Sequence, residues 1–387
     1  MDVVLAAACR TPVGKFNGSL RDVGAVELGA IAVREAVARA GLSPADVDEV
    51  VMGNVLQAGL GQNPARQAAL KAGLPETVSA YTVNKVCGSS LKAVMLAAAS
   101  VRAGDASIVV AGGMESMTNA PYLLRHARGG YRLGDGILVD GMIYDGLLDA
   151  YNGFHMGRTG EIVAQRFQIS REEADRFALE SHRRAQAASE GGDFKEEVVP
   201  VPLPGGGTLT RDEGIRSDTT LERLARLKPV FKEDGIVTAG NASQISDGGA
   251  AVVVASREAA EDRGLPVLAR VRGSNTAGVR PDLVMEAPIY GARSLLDRLD
   301  LGIDDIDQFE HNEAFATASC AVRQELRVPP DRFNPYGGAV ALGHPLGASG
   351  ARILTTLVHA LHRKNKRRGL VTLCLGGGNA VSMVVER

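Results

Sequence analysis

Cys87 and His344 are the first residues whose surroundings suggest chemistry. Cys87 precedes Gly88-Ser89-Ser90 at a predicted strand-to-helix junction. Free N–H groups and the positive end of the dipole at a helix start stabilise a thiolate, so a lowered cysteine pKa is expected. His344 lies in a glycine-dense segment, and histidine is suited to proton transfer near neutral pH. Each residue alone is also compatible with a purely structural role: Cys87 as a packed core residue and His344 as a turn residue.

Cys374 and Asn312 extend this set. Cys374 ends a predicted strand before Gly376-Gly377-Gly378, whose N–H groups can donate to a carbonyl oxygen. Asn312 and Glu313 precede a predicted helix, where they either cap the helix or orient a water or substrate. A nucleophilic thiol, a histidine and a second thiol together indicate covalent acyl chemistry, which needs no metal. The remaining cysteines, Cys9 and Cys320, lie in apolar or helical stretches and are expected to be inert.

An internal repeat indicates how the chain positions these residues. Residues 27–49 and 286–308 align at a constant offset, with identities that include Glu27 with Glu286 and Arg34 with Arg293. In each copy a helix pattern precedes a short apolar strand, and a second helix and strand end in glycines. Strands alternating with helices predict a duplicated α/β core with mainly parallel sheets covered by helices.

Composition restricts the class of protein. The 387 residues carry 43 Lys and Arg against 45 Asp and Glu, a net charge of −2, which argues against a nucleic-acid binder. No apolar run approaches the ~20 residues that span a bilayer, so no membrane association is expected. Four cysteines without a Cys-x-x-Cys pair form neither a disulfide framework nor a structural zinc site. A reducing cytoplasm is the expected location.

The segments together resemble the thiolase family, in order and over essentially the whole chain. The resemblance rests on NKVCGSSLKA (84–93), GGMESM (112–117), HNEAFA (311–316), the Gly343-His344-Pro345 segment and CLGGG (374–378). It implies a five-layered αβαβα core made of two similar α/β halves, with an inserted loop domain. The implied boundaries are 1–117 for the N-terminal half, completed by about 241–268, then 118–240 for the insert and 269–387 for the C-terminal half.

The resemblance also implies roles for the candidate residues. Cys87 would be the acylated nucleophile, activated by His344, and Cys374 would move the proton at the α-carbon. His344 and a water held by Asn312 would hold the thioester oxygen of a second acyl-CoA. The N–H groups of Cys87 and Gly376 would form the oxyanion hole. The implied reaction is ping-pong acyl transfer with Claisen condensation of two acetyl-CoA, or the reverse thiolysis.

The insert resembles the coenzyme-A-binding region of thiolases. Coenzyme A is implied as substrate and product, with no permanently bound cofactor. The segment GFHMG (153–157) resembles that of short-chain thiolases, with His155 contacting coenzyme A and Met156 narrowing the acyl pocket. Residues 131–149 resemble the loop that pairs dimers into tetramers, so a homotetramer is expected. The resemblance assigns these positions to the coenzyme A site: Arg216, Ser243, His155, Met156, Leu147, Phe231, Ala239, Ala314 and Phe315.

Some residues depart from the family pattern. Ser90 and Ala380 stand where glycine is usual, and residues 284–288 read Val-Met-Glu-Ala-Pro where short-chain enzymes have Met-Gly-x-Gly-Pro. Val284 removes bulk expected in the acyl pocket, so the sequence leaves open a longer or branched acyl group. It also leaves open a broader-chain degradative 3-ketoacyl-CoA thiolase, a non-catalytic acyl-CoA-binding relative and a Cys-His thiol hydrolase. Preferred acyl chain, direction of reaction and pathway stay open.

Overall fold

The computed structural model describes residues 2–387, which form a large mixed sheet flanked by helices. The strands are β1 (Val3–Arg10), β2 (Gly14–Lys15), β3 (Glu49–Gly53), β4 (Ser79–Val83), β5 (Ile108–Ser116), β6 (Tyr122–Leu124), β7 (Leu138–Asp140), β8 (Val201–Pro202), β9 (Thr208–Leu209), β10 (Ser246–Ser256), β11 (Ala269–Gly278), β12 (Gln308–His311), β13 (Arg368–Leu375) and β14 (Asn379–Glu386). The helices are α1 (Ala25–Arg39), α2 (Pro64–Lys71), α3 (Ser89–Ala103), α4 (Gly157–Arg166), α5 (Arg171–Gly191), α6 (Leu221–Ala225), α7 (Arg257–Asp262), α8 (Ala287–Arg298), α9 (Ala316–Leu326), α10 (Ala339–Leu342) and α11 (Ser349–Arg363).

The duplication predicted from sequence is visible in the strand order. In the N-terminal half the order is β4-β3-β5-β10-β1, and in the C-terminal half it is β12-β13-β14-β11. β3 pairs with β5 in parallel as β12 pairs with β13, and β10 runs antiparallel to β5 as β14 does to β13. Within residues 2–387, the strands of the two halves pair with each other only where β1 meets β11, through Val4 with Arg270 and Leu5 with Ala269.

The expectation of mainly parallel sheets is wrong. Parallel pairing is confined to β3, β4 and β5 and to β12 and β13, while β1, β10, β11 and β14 pair antiparallel. The reason is local in the C-terminal half, because β13 and β14 are joined by the short turn 376–378. A turn of this length reverses the chain, whereas a parallel connection needs a crossover of a dozen or more residues.

Helices and strands alternate in five stacked layers, as expected. α1 and α2 pack on one face of the N-terminal strands, and α8 and α9 pack on the far face of the C-terminal strands. α3 and α11 lie between the two halves and contact strands of both. Alternation along β10 shows the layering, because Val252 and Val254 face the middle layer while Val253 faces the outer helices. The middle helices α3 and α11 pack against each other between the halves, and Cys87 and His344 stand before their first turns.

The segment between β5 and β10 forms small elements outside the main sheet. It holds two short hairpins, β6 with β7 and β8 with β9, together with α4, α5 and α6. One stretch of the chain, 86–103, is long and apolar enough by composition to cross a bilayer, and 56% of it is buried inside the protein. It coincides with α3 in the middle layer, so packing between the sheets accounts for its apolar character.

Candidate active site

Cys87, His344, Cys374 and Gly376 line one cavity of about 50 Å³. The fold brings them there from both halves, since Cys87 follows β4 and precedes α3, and Cys374 lies at the carboxyl end of β13. His344 precedes α11, the partner of α3 in the middle layer. Clustering of these groups at the strand ends matches the usual place of ligand sites in α/β sheets.

The turn that carries Cys87 is strained and braced by side chains. Val86 has φ of 46°, an unfavourable conformation for a β-branched residue. Ser89 Oγ accepts from the Lys85 N–H at 2.8 Å and donates to the Val86 carbonyl at 2.6 Å. Asn84 Oδ1 accepts from the Val86 N–H at 3.0 Å. These bonds hold the tight turn that presents Cys87 beside the cavity, a placement typical of functional strain.

The predicted lowering of the Cys87 pKa is not observed. Burial raises the pKa of the Cys87 thiol to about 12, although hydrogen bonds from the N–H groups of Gly376 and of Cys87 itself act in the opposite direction. The loss of water around the sulfur therefore raises the Cys87 pKa by more than these hydrogen bonds at the helix start lower it. The resting Cys87 thiol is neutral, so attack by its sulfur would require a nearby base to remove the proton.

The hydrogen bonds around His344 define which ring nitrogen is free. Ser349 Oγ donates to the Pro345 carbonyl at 2.8 Å, so at 2.5 Å from His344 Nδ1 it acts as acceptor. Nδ1 then carries the proton, and Nε2 accepts from Asn312 Nδ2 at 3.3 Å. Burial, with a smaller contribution from Arg352, lowers the pKa of His344 to about 3. The imidazole is thus neutral at physiological pH, and Nε2 is the nitrogen that can take a proton when the hydrogen bond from Asn312 is broken.

We expect Ser349 to act as a positioning residue for this tautomer. Replacing Ser349 with alanine removes the acceptor that holds Nδ1–H, and loss of one such hydrogen bond corresponds to about a tenfold lower kcat. Because Ser349 does not line either cavity, KM should stay within about twofold. Steady-state kinetics of the implied thiolysis reaction, measured for the variants Ser349→Ala and Ser349→Thr, provide the check. Recovery of kcat in the threonine variant is expected; equal kcat in wild type and alanine variant would contradict the assignment.

Cys374 is more deeply buried than Cys87, and burial raises the pKa of its thiol, with the nearby Cys87 acting in the same direction. Its Sγ donates to Met285 Sδ at 3.5 Å. Two neutral thiols therefore face one cavity from opposite halves of the fold. Cys9 and Cys320 are also buried and unpaired, but they pack in the outer helical layers away from this cavity.

Asn312 and Glu313 do not cap the following helix. α9 begins at Ala316 with Phe315 as its N-cap, so the orienting role beside His344 describes Asn312 better. Glu313 instead accepts from Ser181, from Asn334 and from the Val340 N–H. These hydrogen bonds connect the loop before α10 to α5, so Glu313 has a structural role.

Two buried side chains tie the loops of the site together. Glu115 accepts from the N–H groups of Val55, Leu56 and Gly347, and burial raises its pKa to about 7. Ser90 Oγ accepts from the Ala351 N–H at 2.9 Å. Ser90 replaces a family glycine, and here its hydroxyl joins the start of α3 to the start of α11. The helices that follow Cys87 and His344 are therefore held in register directly.

A larger cleft of about 680 Å³ adjoins the catalytic cavity. The two share wall residues, including Leu147, Met156, Phe315 and His344. His155 stacks on Phe231 with ring centroids 4.7 Å apart, and Phe231 meets Phe315 edge-on at 6.2 Å. The cleft also contains other residues expected at the coenzyme A site, namely Arg216, Ser243 and Ala239. Ala314, the remaining one, lines the smaller cavity.

Several residues that shape the site had no sequence signal. Lys15 and Phe16 line the cleft from β2 and the turn after it, and Met285 reaches Cys374 across the catalytic cavity. Ser349 lies five residues after His344 in the same glycine-dense segment. Its polar side chain was the one sequence feature that could have indicated its role beside His344. Within residues 2–387, no group of three or more His, Cys, Asp or Glu side chains is arranged to hold a metal ion.

Comparison with known sequences and structures agrees with this fold. The thiolase N-terminal domain family matches residues 3–258 and the thiolase C-terminal domain family matches residues 265–387. The chain belongs to the thiolase family, and it is an acyltransferase.

Relatives at high identity support this class over the full length. A protein of Staphylococcus aureus strain COL named probable acetyl-CoA acyltransferase is 49% identical, with 100% of this chain and 99% of the relative covered. Its counterpart in strain MSSA476 is 50% identical over the same coverage. The crystal structure of the Bacillus anthracis acetyl-CoA acetyltransferase superposes with a TM-score of 0.97 at 42% identity, covering 100% of this chain and 98% of that one.

Proposed function

We propose that this chain is an acetyl-CoA C-acetyltransferase that works through a thioester on Cys87. It joins two acetyl-CoA to acetoacetyl-CoA and coenzyme A, or runs the reverse thiolysis. The observation that carries the proposal is the shared cavity of about 50 Å³, where Cys87, His344 and Cys374 meet at the inner end of a much larger cleft. The name of the Bacillus anthracis relative, acetyl-CoA acetyltransferase, supports the acetyl group, and the names of the Staphylococcus aureus relatives support acyl transfer with acetyl-CoA.

In the first half-reaction, His344 Nε2 takes the Cys87 proton as the sulfur attacks the thioester carbonyl. The N–H groups of Cys87 and Gly376 stabilise the oxyanion, consistent with their interaction with the thiol sulfur. Collapse of this intermediate expels the coenzyme A thiolate, which receives the proton from His344. The neutral resting state of both thiol and imidazole makes this proton transfer part of the attack rather than a step before it.

In the second half-reaction, Cys374 first passes its thiol proton to His344 Nε2 in the shared cavity, and the resulting thiolate removes a proton from the α-carbon of a second acetyl-CoA. The resulting carbon nucleophile attacks the acetyl group on Cys87, and the departing Cys87 thiolate takes the proton from His344. The proton now on His344 Nε2, together with a water oriented by the neighbouring Asn312, stabilises the enolate oxygen. Thiolysis reverses these steps, with Cys374 returning a proton to the α-carbon of the departing acetyl-CoA.

The 680 Å³ cleft is the proposed coenzyme A site, since its apolar and aromatic walls suit a pantetheine arm leading to Cys87. His155, Phe231, Ala239 and Ser243 would lie along the cofactor, with exposed Arg216 near its adenine end. Met156, Leu147, Ala314 and Phe315 would form the narrow passage to the acyl group. Coenzyme A acts here as substrate and product.

A homotetramer, built as a dimer of dimers, belongs to this proposal. β4 is an edge strand whose outer side has no strand partner within residues 2–387. The β6–β7 hairpin region exposes Tyr122 and Leu138, and Leu133 is 99% exposed. Exposed apolar patches of this kind mark interaction sites. The division into an N-terminal half, an insert over 118–240 and a C-terminal half is also proposed, supported by β10 returning to pair with β1 and β5.

A cytoplasmic location is proposed because all four cysteines are unpaired thiols, two of them in the site. No nucleic-acid or membrane partner is proposed, in keeping with the balanced charge. The competing broader-chain thiolase is favoured by Val284, but the cavity that Val284 lines is far smaller than the few hundred Å³ of ordinary ligand pockets. Neither a non-catalytic relative nor a hydrolase would use the Cys374 thiol, so its place in the cavity favours the acetyltransferase.

Coenzyme-A-dependent thiolysis of acetoacetyl-CoA, compared with 3-ketohexanoyl-CoA, tests the proposal. We expect kcat/KM for acetoacetyl-CoA to exceed that for the six-carbon substrate by at least about tenfold, because each added methylene in a filled pocket costs roughly 10-fold or more. Equal or faster turnover of the longer substrate would support the degradative thiolase. No turnover of either would favour the binding protein, and release of free acids would favour the hydrolase.

A further inference from the structure

Met285 stands at the point where the acyl group must meet Cys374. Its side chain is 2% exposed, and its Sδ lies 3.5 Å from Cys374 Sγ. Both residues line the 50 Å³ cavity together with Cys87. Among the described side chains, Met285 is the one hydrogen-bonded to the Cys374 thiol. The thioether therefore fills the space on one side of the sulfur that is proposed to exchange the α-proton.

The segment that carries Met285 is held on both sides. It forms a 3₁₀ helix, Pro281–Glu286, that runs directly into α8. The neighbouring Glu286 is buried and pairs with Arg166 of α4. Met285 itself packs in one apolar cluster with Phe315, Ala318 and Cys374. The ion pair, the helix start and the packed cluster hold this part of the cavity wall in place. Moving Met285 aside would therefore cost packing free energy, because protein interiors are close-packed.

This arrangement changes the expectation for Val284. The bulk that Val284 lacks relative to the family methionine is present one position later, where the family has glycine and this chain has Met285. Val284 and Met285 are both buried in the cavity wall. The acyl pocket is therefore reshaped rather than enlarged, with its new bulk placed against Cys374.

We propose that Met285 is a specificity-determining residue that excludes acyl-CoA thioesters with a branch at the α-carbon. The proposal rests on the function proposed above, because that function places the α-carbon beside Cys374. A substituent on this carbon points into the space that Met285 occupies, and a cavity of about 50 Å³ leaves little room for both. One unaccommodated methyl group corresponds to discrimination of roughly 10–200-fold. The substrates are thus straight-chain, unbranched thioesters.

The test compares thiolysis of acetoacetyl-CoA and 2-methylacetoacetyl-CoA by wild type, Met285→Ala and Met285→Leu. For wild type we expect kcat/KM to favour the unbranched substrate by at least about tenfold. Met285→Ala should reduce that preference by about tenfold, chiefly through kcat for the branched substrate. Met285→Leu keeps the bulk without the sulfur and should keep the wild-type preference. Val284→Ala, in the same wall but not at hydrogen-bond distance from Cys374, should change the preference less than Met285→Ala.

Three outcomes would overturn the inference. These are similar turnover of both substrates by wild type, an unchanged preference in a folded Met285→Ala, and an equal loss of preference in Met285→Leu, which would assign the effect to sulfur rather than bulk. If Met285→Ala does not fold, the milder Met285→Val takes its place, and the wild-type ratio still decides. Absence of acetoacetyl-CoA thiolysis by wild type would overturn the proposed function itself, which separates that failure from this one.

Discussion

Replacing Cys87 with serine will lower kcat for acetoacetyl-CoA thiolysis by at least about 10³-fold, the scale on which removal of a catalytic nucleophile acts. Two features make the effect large. The Cys87 thiol lines the same cavity as neutral His344, and the turn around Val86 is strained to present it there. A serine hydroxyl is a far weaker nucleophile than a thiol at the same position.

The chain supplies a matched control for this experiment. Cys320 is buried like a site thiol but packs in the outer layer with α8 and α9. Cys320→Ser should leave kcat and KM within about twofold, since the residue lies outside both cavities. Near-wild-type thiolysis by Cys87→Ser, or a comparable loss in both variants, would show that Cys87 is not the acylated residue.

Removing Cys374 will separate the two half-reactions. Cys374→Ala should lower both condensation and thiolysis by roughly 10²–10⁴-fold, the usual contribution of a general acid or base. Acetylation of Cys87 by acetyl-CoA should persist at a measurable rate, because His344 and the N–H groups near Cys87 remain. Steady-state assays and intact-protein mass measurements after mixing with acetyl-CoA provide the two readouts.

Cys9→Ala is the corresponding control, since Cys9 is buried in the layer covered by α1 and donates to the Ala32 carbonyl there. It is expected to change stability rather than either half-reaction. The role assigned to Cys374 would be lost if Cys374→Ala retained condensation within about tenfold of wild type. It would also be lost if acetylation of Cys87 fell in parallel with condensation, because the residue would then serve the first step.

The sequence was most informative where chemistry and backbone geometry coincide in a few adjacent residues. Cys87 before small residues and Cys374 before three glycines both stand at strand ends, which is visible without a structure. The repeat at 27–49 and 286–308 predicted the duplication, because each copy must bury the same faces. Parallel pairing was overestimated, since strand direction depends on connections such as 376–378 rather than on strand and helix patterns.

Features that depend on packing between distant parts of the chain were not predictable. The Cys87 pKa is raised because burial outweighs the helix start, and burial is a property of the assembled core. The contact of Cys374 with Met285 joins residues 89 positions apart. Val284 considered alone suggested a wider pocket, whereas the structure places the side chain of Met285 beside it in the same cavity wall.

The most direct test of the account is to identify where acetyl-CoA leaves its acetyl group. Wild-type protein mixed with acetyl-CoA, quenched in acid, digested and analysed by peptide mass spectrometry should carry one acetyl group per chain, on the peptide that contains Cys87. Added coenzyme A should remove it. Acetylation at Cys374, at another residue or at no residue, under conditions where the protein catalyses thiolysis, would contradict a covalent mechanism through Cys87.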